Sequence, residues 1–342
     1  MRTCRELIWC FVLLGGLFAL SLRLSSEWEK KLTVYPEGMD LLRSQAADDE
    51  DEDGWTRAPR KKRTEKGTSQ KIWIDKRALN AKYTFINFNK DRLFISYSMP
   101  SRAYLDYLAG YGYSDADIAR LRKWREKTRQ SAWNLTIRKA GKAAAEKAVA
   151  AVDLDYETKL RKLLRSRGLA LRAGNVVECD MPVIVKRNVP VLKPLALAFQ
   201  KISSARGYGA EETVGAVLSM VQTALRYKIP PSLEGQLHTG GLLPPARALL
   251  SGWGDCDTKT GAAAAILGNW SRMRLVGIAV PGHYLMAIRR IPAKGDMFVR
   301  YKGLEYVLIE PAGPAWLEPG TVGRATSALL ERGEGYRVEP FF

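Results

Sequence analysis

The chain has 342 residues, 46% of them apolar and 9% aromatic, which is enough to build a packed core. Its 54 Lys and Arg outnumber 36 Asp and Glu, and the net charge of +18 draws anions of any kind: nucleic acid, anionic lipid head groups or acidic wall polymers. The chain has 4 cysteines, two of them within the first ten residues, and the two that remain make no disulfide framework.

Arg2 and Arg5 precede an apolar run from Leu7 to Leu22. Those 16 residues would make a helix of roughly 24 Å, short of the ~30 Å hydrocarbon core of a bilayer. Ala19-Leu20-Ser21 adds small residues at the positions a signal peptidase reads, while Arg23 could instead hold the run as an uncleaved anchor. Residues 1–25 are thus expected to be a signal peptide or membrane anchor, placing the chain in the periplasm or on the inner membrane. Cys4 and Cys10 lie in this segment, leaving Cys179 and Cys256, which are expected not to pair with each other. Residues 26–70 set "DDEDED" before "RAPRKKRTEKG" with few apolar residues, the composition of a disordered charged linker.

From residue 71 the texture changes. Two alternating runs, Tyr83 to Phe88 and Arg92 to Ser98, flank an Asn-Lys-Asp turn and predict a hairpin. Ser114 followed by Asp115 and Asp117 starts a mostly helical stretch to 168, with breaks expected near Gly141 and Asp153. Between Arg120 and Arg172 there are 16 Lys or Arg against 5 Asp or Glu, either a solvated face or a docking surface for membrane, wall polymer or nucleic acid. Export argues against nucleic acid. "VVECDMPVIVKRNVPVLKP" predicts short strands and Pro-rich connections. Val214, Val217, Leu218, Val221 and Leu225 mark one buried face of a helix over about 211–227, with Gln222 at its edge. A Pro/Gly loop fills 228–245. The division expected is a hairpin plus basic helical domain over 71–195 and a thiol domain over 196–342, both of α+β character.

"GWGDCDTKTGAAAAIL" carries the chemistry. Asp255 is a good N-cap, so Cys256 opens a helix running to about Trp270. A thiol there faces unsatisfied N–H groups and the positive end of the helix dipole, which favour thiolate; the flanking aspartates oppose it. The chain has 2 histidines, so the choice of base is narrow. His238 lies in the long loop. His283 follows a Pro-Gly turn at the start of an apolar strand, 27 residues after Cys256, and Glu310 ends the next strand another 27 residues on. A carboxylate beside that strand could hold the second imidazole nitrogen and fix its orientation. No P-loop, G-x-G-x-x-G after a strand, or H-E-x-x-H occurs, and Cys256, His238, His283 and Asp257 lack paired zinc-ligand spacing; neither metal nor cofactor is expected.

"GWGDCDTKTGAAAAIL", "VPGHYLMAI" and "YVLIEPAG" together resemble the transglutaminase-like superfamily, which includes bacterial transglutaminase-fold cysteine proteases. The resemblance covers roughly residues 200 to 320. It implies a papain-like thiol fold, a Cys256–His283–Glu310 triad, and Gln222 near the oxyanion. The family usually has Asp where this chain has Glu310. The chemistry implied is acyl transfer from an amide of a protein or peptide, with hydrolysis favoured over transamidation. The alternative is a non-catalytic module of the cell envelope that keeps the fold and binds an anionic membrane or cell-wall partner through its basic helices.

Overall fold

In the computed structural model, which describes residues 67–75, 77–331 and 335–342, the alternating runs form part of a three-stranded antiparallel meander. β1 (Ser69–Ile74) pairs with β2 (Ala78–Ile86), and β2 with β3 (Arg92–Pro100). Leu93, Ile95, Tyr97 and Met99 turn inward along β3 because successive strand side chains point to opposite faces. β1 begins inside the expected linker and makes the hairpin a sheet; its Ile72-Trp73-Ile74 run does not alternate, so it carried no strand signal. The export segment 1–25 and linker residues 26–66 lie outside the described residues.

α1 (Ser101–Leu108) leads to α2 (Asp115–Ser166), which starts on a capping box: Ser114 Oγ accepts from Asp117 N at 3.3 Å while Asp117 Oδ2 accepts from Ser114 N at 2.9 Å. A straight helix would separate Arg125 from Asp153 by about 42 Å, yet Arg125 Nε lies 2.8 Å from Asp153 Oδ1. The chain therefore reverses, at Gly141, whose φ of 79° and ψ of −179° are open essentially only to glycine. The second break expected near Asp153 does not occur: Asp153 stays helical and spends its carboxylate on Arg125 and Arg129 across the hairpin. Of the 52 residues in α2, Ala145 and Leu164 alone are buried, so the pair forms a basic arm.

β4 (Leu169–Leu171) pairs with β5 (Val177–Cys179). The following apolar run is α3 (Met181–Asn188), not the strand its β-branched residues suggested. Asp180 caps it by accepting from Val183 N, and Pro182 sits in its first turn, so start signals override propensity. α4 (Lys193–Arg206) and α5 (Ala210–Ala224) follow. After β6 (Arg226–Tyr227), the Pro/Gly loop holds a two-rung hairpin of β7 (Leu233–Glu234) and β8 (Leu237–His238). α6 (Pro245–Ser251) leads into β9 (Trp253–Gly254), which runs parallel to β6, and then into α7 (Cys256–Leu267). α7 ends before Trp270 because Asn269 and Trp270 bond back three residues, to Ile266 O and Leu267 O, and tighten the last turn.

The remaining strands, β10 (Leu275–Val280), β11 (His283–Arg289), β12 (Phe298–Tyr301), β13 (Leu304–Ile309) and β14 (Arg337–Pro340), form one antiparallel sheet in the order β12-β13-β11-β10-β14, with α8 (Arg324–Glu331) between the last two in sequence. α7 is the central element. Apart from Asp257 all its residues are buried, the pattern of a helix enclosed on every side. Ala262 to Ala265 keep it thin enough for α3, α4, α5 and α6 to crowd around it while β11 covers another face. One apolar cluster runs from Ala81 to Phe341 and takes in Leu192, Leu195 and Phe199, so the boundary expected at 195 falls inside a shared core. The fold is α+β. Among the described residues no helix is long and apolar enough to cross a membrane.

Candidate active site

The turn from β9 into α7 is built for close approach. A Cβ on Gly254 would sit 2.2 Å from Thr258 Cγ2, so glycine alone fits there. Asp255 Oδ1 accepts from Thr258 N at 3.1 Å, and Thr258 Oγ1 accepts from Leu243 N at 3.1 Å. These bonds fix Cys256 as the first residue of a buried helix, 7% exposed, with its thiol donating to Asp257 Oδ1 at 3.3 Å.

β11 is pinned against that helix start. Thr260 Oγ1 donates to Tyr284 O at 3.2 Å, and the backbone N–H of Tyr284 bonds to the Cys256 sulfur. His283, the preceding residue, opens β11 opposite Val280 across the Pro281–Gly282 turn. Its Nε2 lies 2.9 Å from Glu310 Oε1. Glu310 follows β13 directly, whose Ile309 pairs with Met286 of β11, and it is fully buried. Its second oxygen accepts from Thr326 Oγ1 of α8 at 2.7 Å. His283 at a strand start and Glu310 at a strand end are in direct contact, and Tyr284, the residue after His283, meets the Cys256 sulfur at the helix start. Glu310 reaches the imidazole despite its extra methylene.

Electrostatics divide the site. Burial works to raise the Glu310 carboxyl, but the charge and hydrogen bond of His283, the Thr326 hydroxyl and the Ala312 amide outweigh it and hold the group below the ordinary carboxylate range. Cys256 goes the other way. Burial first, then the charges of Asp257 and Asp255, push its thiol well above the usual range, and the Tyr284 N–H opposes them too weakly to reverse the direction. The helix start does not by itself make thiolate here, because the site is far drier than a sequence can show.

Gln222 has a different place from the one expected. Its Nε2 donates to Glu310 O at 2.7 Å and to Leu317 O at 3.0 Å, and its Oε1 accepts from Leu317 N at 3.0 Å. With both donors committed to the backbone, the carboxamide braces the loop that carries Glu310 and has no N–H to offer an oxyanion. His238 lies outside the site, 2.9 Å from Asp115 Oδ1 and stacked on Tyr113. Cys179 and Cys256 form no disulfide. Asp255, Cys256 and Asp257 bring three ligand atoms within 4.8 Å of one another, with one Asp255 oxygen on the helix cap, one Asp257 oxygen receiving the thiol and His283 turned to Glu310.

Comparison with known proteins finds no match: no family model, no curated protein and no solved structure matches the chain. The site's chemistry must be argued from its geometry. Sequence reasoning missed Thr326, an ordinary residue of a short helix with no local signal. It also missed Tyr284 as a brace between layers, its hydroxyl donating to Glu339 Oε2 at 2.9 Å.

Proposed function

We propose that this protein is a cysteine-dependent acyl-transfer enzyme with a transglutaminase-like thiol site, hydrolysing an amide of a protein or peptide. The observation that carries the reading is the buried His283–Glu310 contact one residue from the strand position whose N–H meets the Cys256 sulfur. Glu310 holds Nε2, so proton exchange with the nucleophile runs through Nδ1. Because the thiol rests protonated, attack and proton transfer go together: a C–S bond forms at the amide carbonyl as the S–H proton passes to His283. The imidazolium, stabilised by Glu310, then protonates the leaving amine as the C–N bond breaks. Water attacks the resulting thioester, gives its proton to His283, and releases the carboxylic acid with the thiol restored. In this reading the oxyanion is taken by helix-start N–H groups of α7 other than that of Thr258, which is spent on Asp255.

The apolar run at Leu7 to Leu22 supports placing this activity in the cell envelope, in the periplasm or at the inner membrane. A second reading, a non-catalytic interaction module, is favoured by one feature: the largely exposed basic arm of α2, suited to an anionic membrane or wall partner. The test is acylation by p-nitrophenyl acetate. The enzyme reading expects a burst of one p-nitrophenolate per chain with a thioester on Cys256, lost in Cys256→Ala and His283→Ala. Acylation of Cys256 that is no faster than in His283→Ala would favour the module.

A further inference from the structure

One turn after Cys256 stands a lysine with no surface. Lys259 is 0% exposed, and its Nζ meets no protein hydrogen-bond acceptor among the described residues. The nearest cushion is the ring of Tyr227 on β6, 6.0 Å from Nζ to the centroid. Residues of this type are almost never fully buried unless paired, and an alkyl side chain of similar length would fill the same space without the cost of a dry amine. The groups acting electrostatically on it are Asp255 and Cys256, at the start of its own helix.

We infer that Lys259 is a positioning residue for the nucleophile, acting through charge: its buried ammonium stabilises the negative charge that develops on Cys256. The inference rests on the proposed thiol chemistry and gives that chemistry a part it otherwise lacks. Two carboxylates flank the sulfur, and both oppose ionisation. A cation held at i+3 on the same helix, in a medium too dry to screen it, is the group placed to offset them. Negative charge on Cys256 favours the protonated Lys259 amine, and an interaction between two titrating sites acts on both. Burial pushes the amine down to about 7, with Asp255 and Cys256 pulling it back up.

The signs of the test follow. A lysine depressed in the folded state opposes folding below its unfolded value of about 10.5, fully so below about 7. Lys259→Met should consequently raise the melting temperature, most strongly below pH 7, while weakening the nucleophile. Single-turnover acylation by p-nitrophenyl acetate would be followed across pH in the full chain, in Lys259→Met, Lys259→Arg and His283→Ala. Lys259→Met is expected to move the acylation limb up by about one pH unit or more, a tenfold loss at pH 7, and Lys259→Arg to recover most of it. If Lys259→Met keeps the wild-type profile while His283→Ala loses the reaction, the inference falls and the thiol reading stands. If neither variant changes the profile, the thiol reading itself falls. A melting temperature that drops in Lys259→Met would show a structural pairing and also overturn the inference.

Discussion

Gln222→Leu separates two roles for a residue that sits beside the nucleophile's neighbourhood. The carboxamide makes three hydrogen bonds to backbone groups, two of them on Leu317 and one on the carbonyl of Glu310. Leucine has nearly the same volume, so little cavity is created, but one buried and two part-buried polar groups lose their partner. At about 1 kcal/mol for each bond, and more for groups left dry, the loss is about 3 to 6 kcal/mol. For a folded unit of this size that lowers the melting temperature by roughly 6 to 12 °C at the lower figure. The assay is equilibrium denaturation of the full chain in urea, with no substrate needed. An oxyanion donor would behave otherwise, losing turnover with stability intact. A change in stability below about 0.5 kcal/mol would refute the bracing role and return Gln222 to the oxyanion.

Three further outcomes are expected. Gly254→Ala forces a Cβ to within 2.2 Å of Thr258 Cγ2 and should cost about 1–3 kcal/mol in urea denaturation while shifting the helix start under Cys256. Gly141→Ala should strain the reversal of α2 by about 1–3 kcal/mol, and hydrogen exchange should show the loss confined to the arm while α7 stays protected. Glu310 titrates below its unfolded value, so the stability it supplies is present above about pH 4.5 and is lost as pH falls through the folded value. The stability gap between wild type and Glu310→Gln should accordingly be widest near neutral pH and narrow on acidification; a gap that widens would reverse the assignment of charge.

What the sequence made legible were features with a local signature. Asp255 before Cys256, the Pro281–Gly282 turn before His283 and the apolar run ending at Glu310 each announce a backbone state, and in the structure His283 contacts Glu310 while the next residue, Tyr284, meets Cys256. Ser114 announced its helix start in the same way, and the structure adds the capping box with Asp117. The failures share a cause, which is that burial and partners belong to the whole fold. Nothing near Cys256 shows that α7 is enclosed on all sides, so the burial that dominates its thiol could not be weighed beside the helix start and the aspartates. Gln222 bonds the carbonyl of Glu310, but its bonds to Leu317 cross 95 residues of chain. "VIVK" looked like strand until Asp180 and Pro182 started a helix under it. Asp153 looked like a break because its partner Arg125 lies 28 residues back across the turn at Gly141.

The central claim is that Cys256 and His283 act as a pair. Its most direct test is the rate of iodoacetamide alkylation of Cys256 against pH, read by peptide mass spectrometry in wild type and in His283→Ala. Burial and two aspartates hold the lone thiol protonated, so reactivity near neutral pH has to draw on the imidazole. The account expects wild-type alkylation already near neutral pH that is lost in His283→Ala, leaving reaction only in alkali. Coincident profiles in the two proteins, both rising only in alkali, would contradict it.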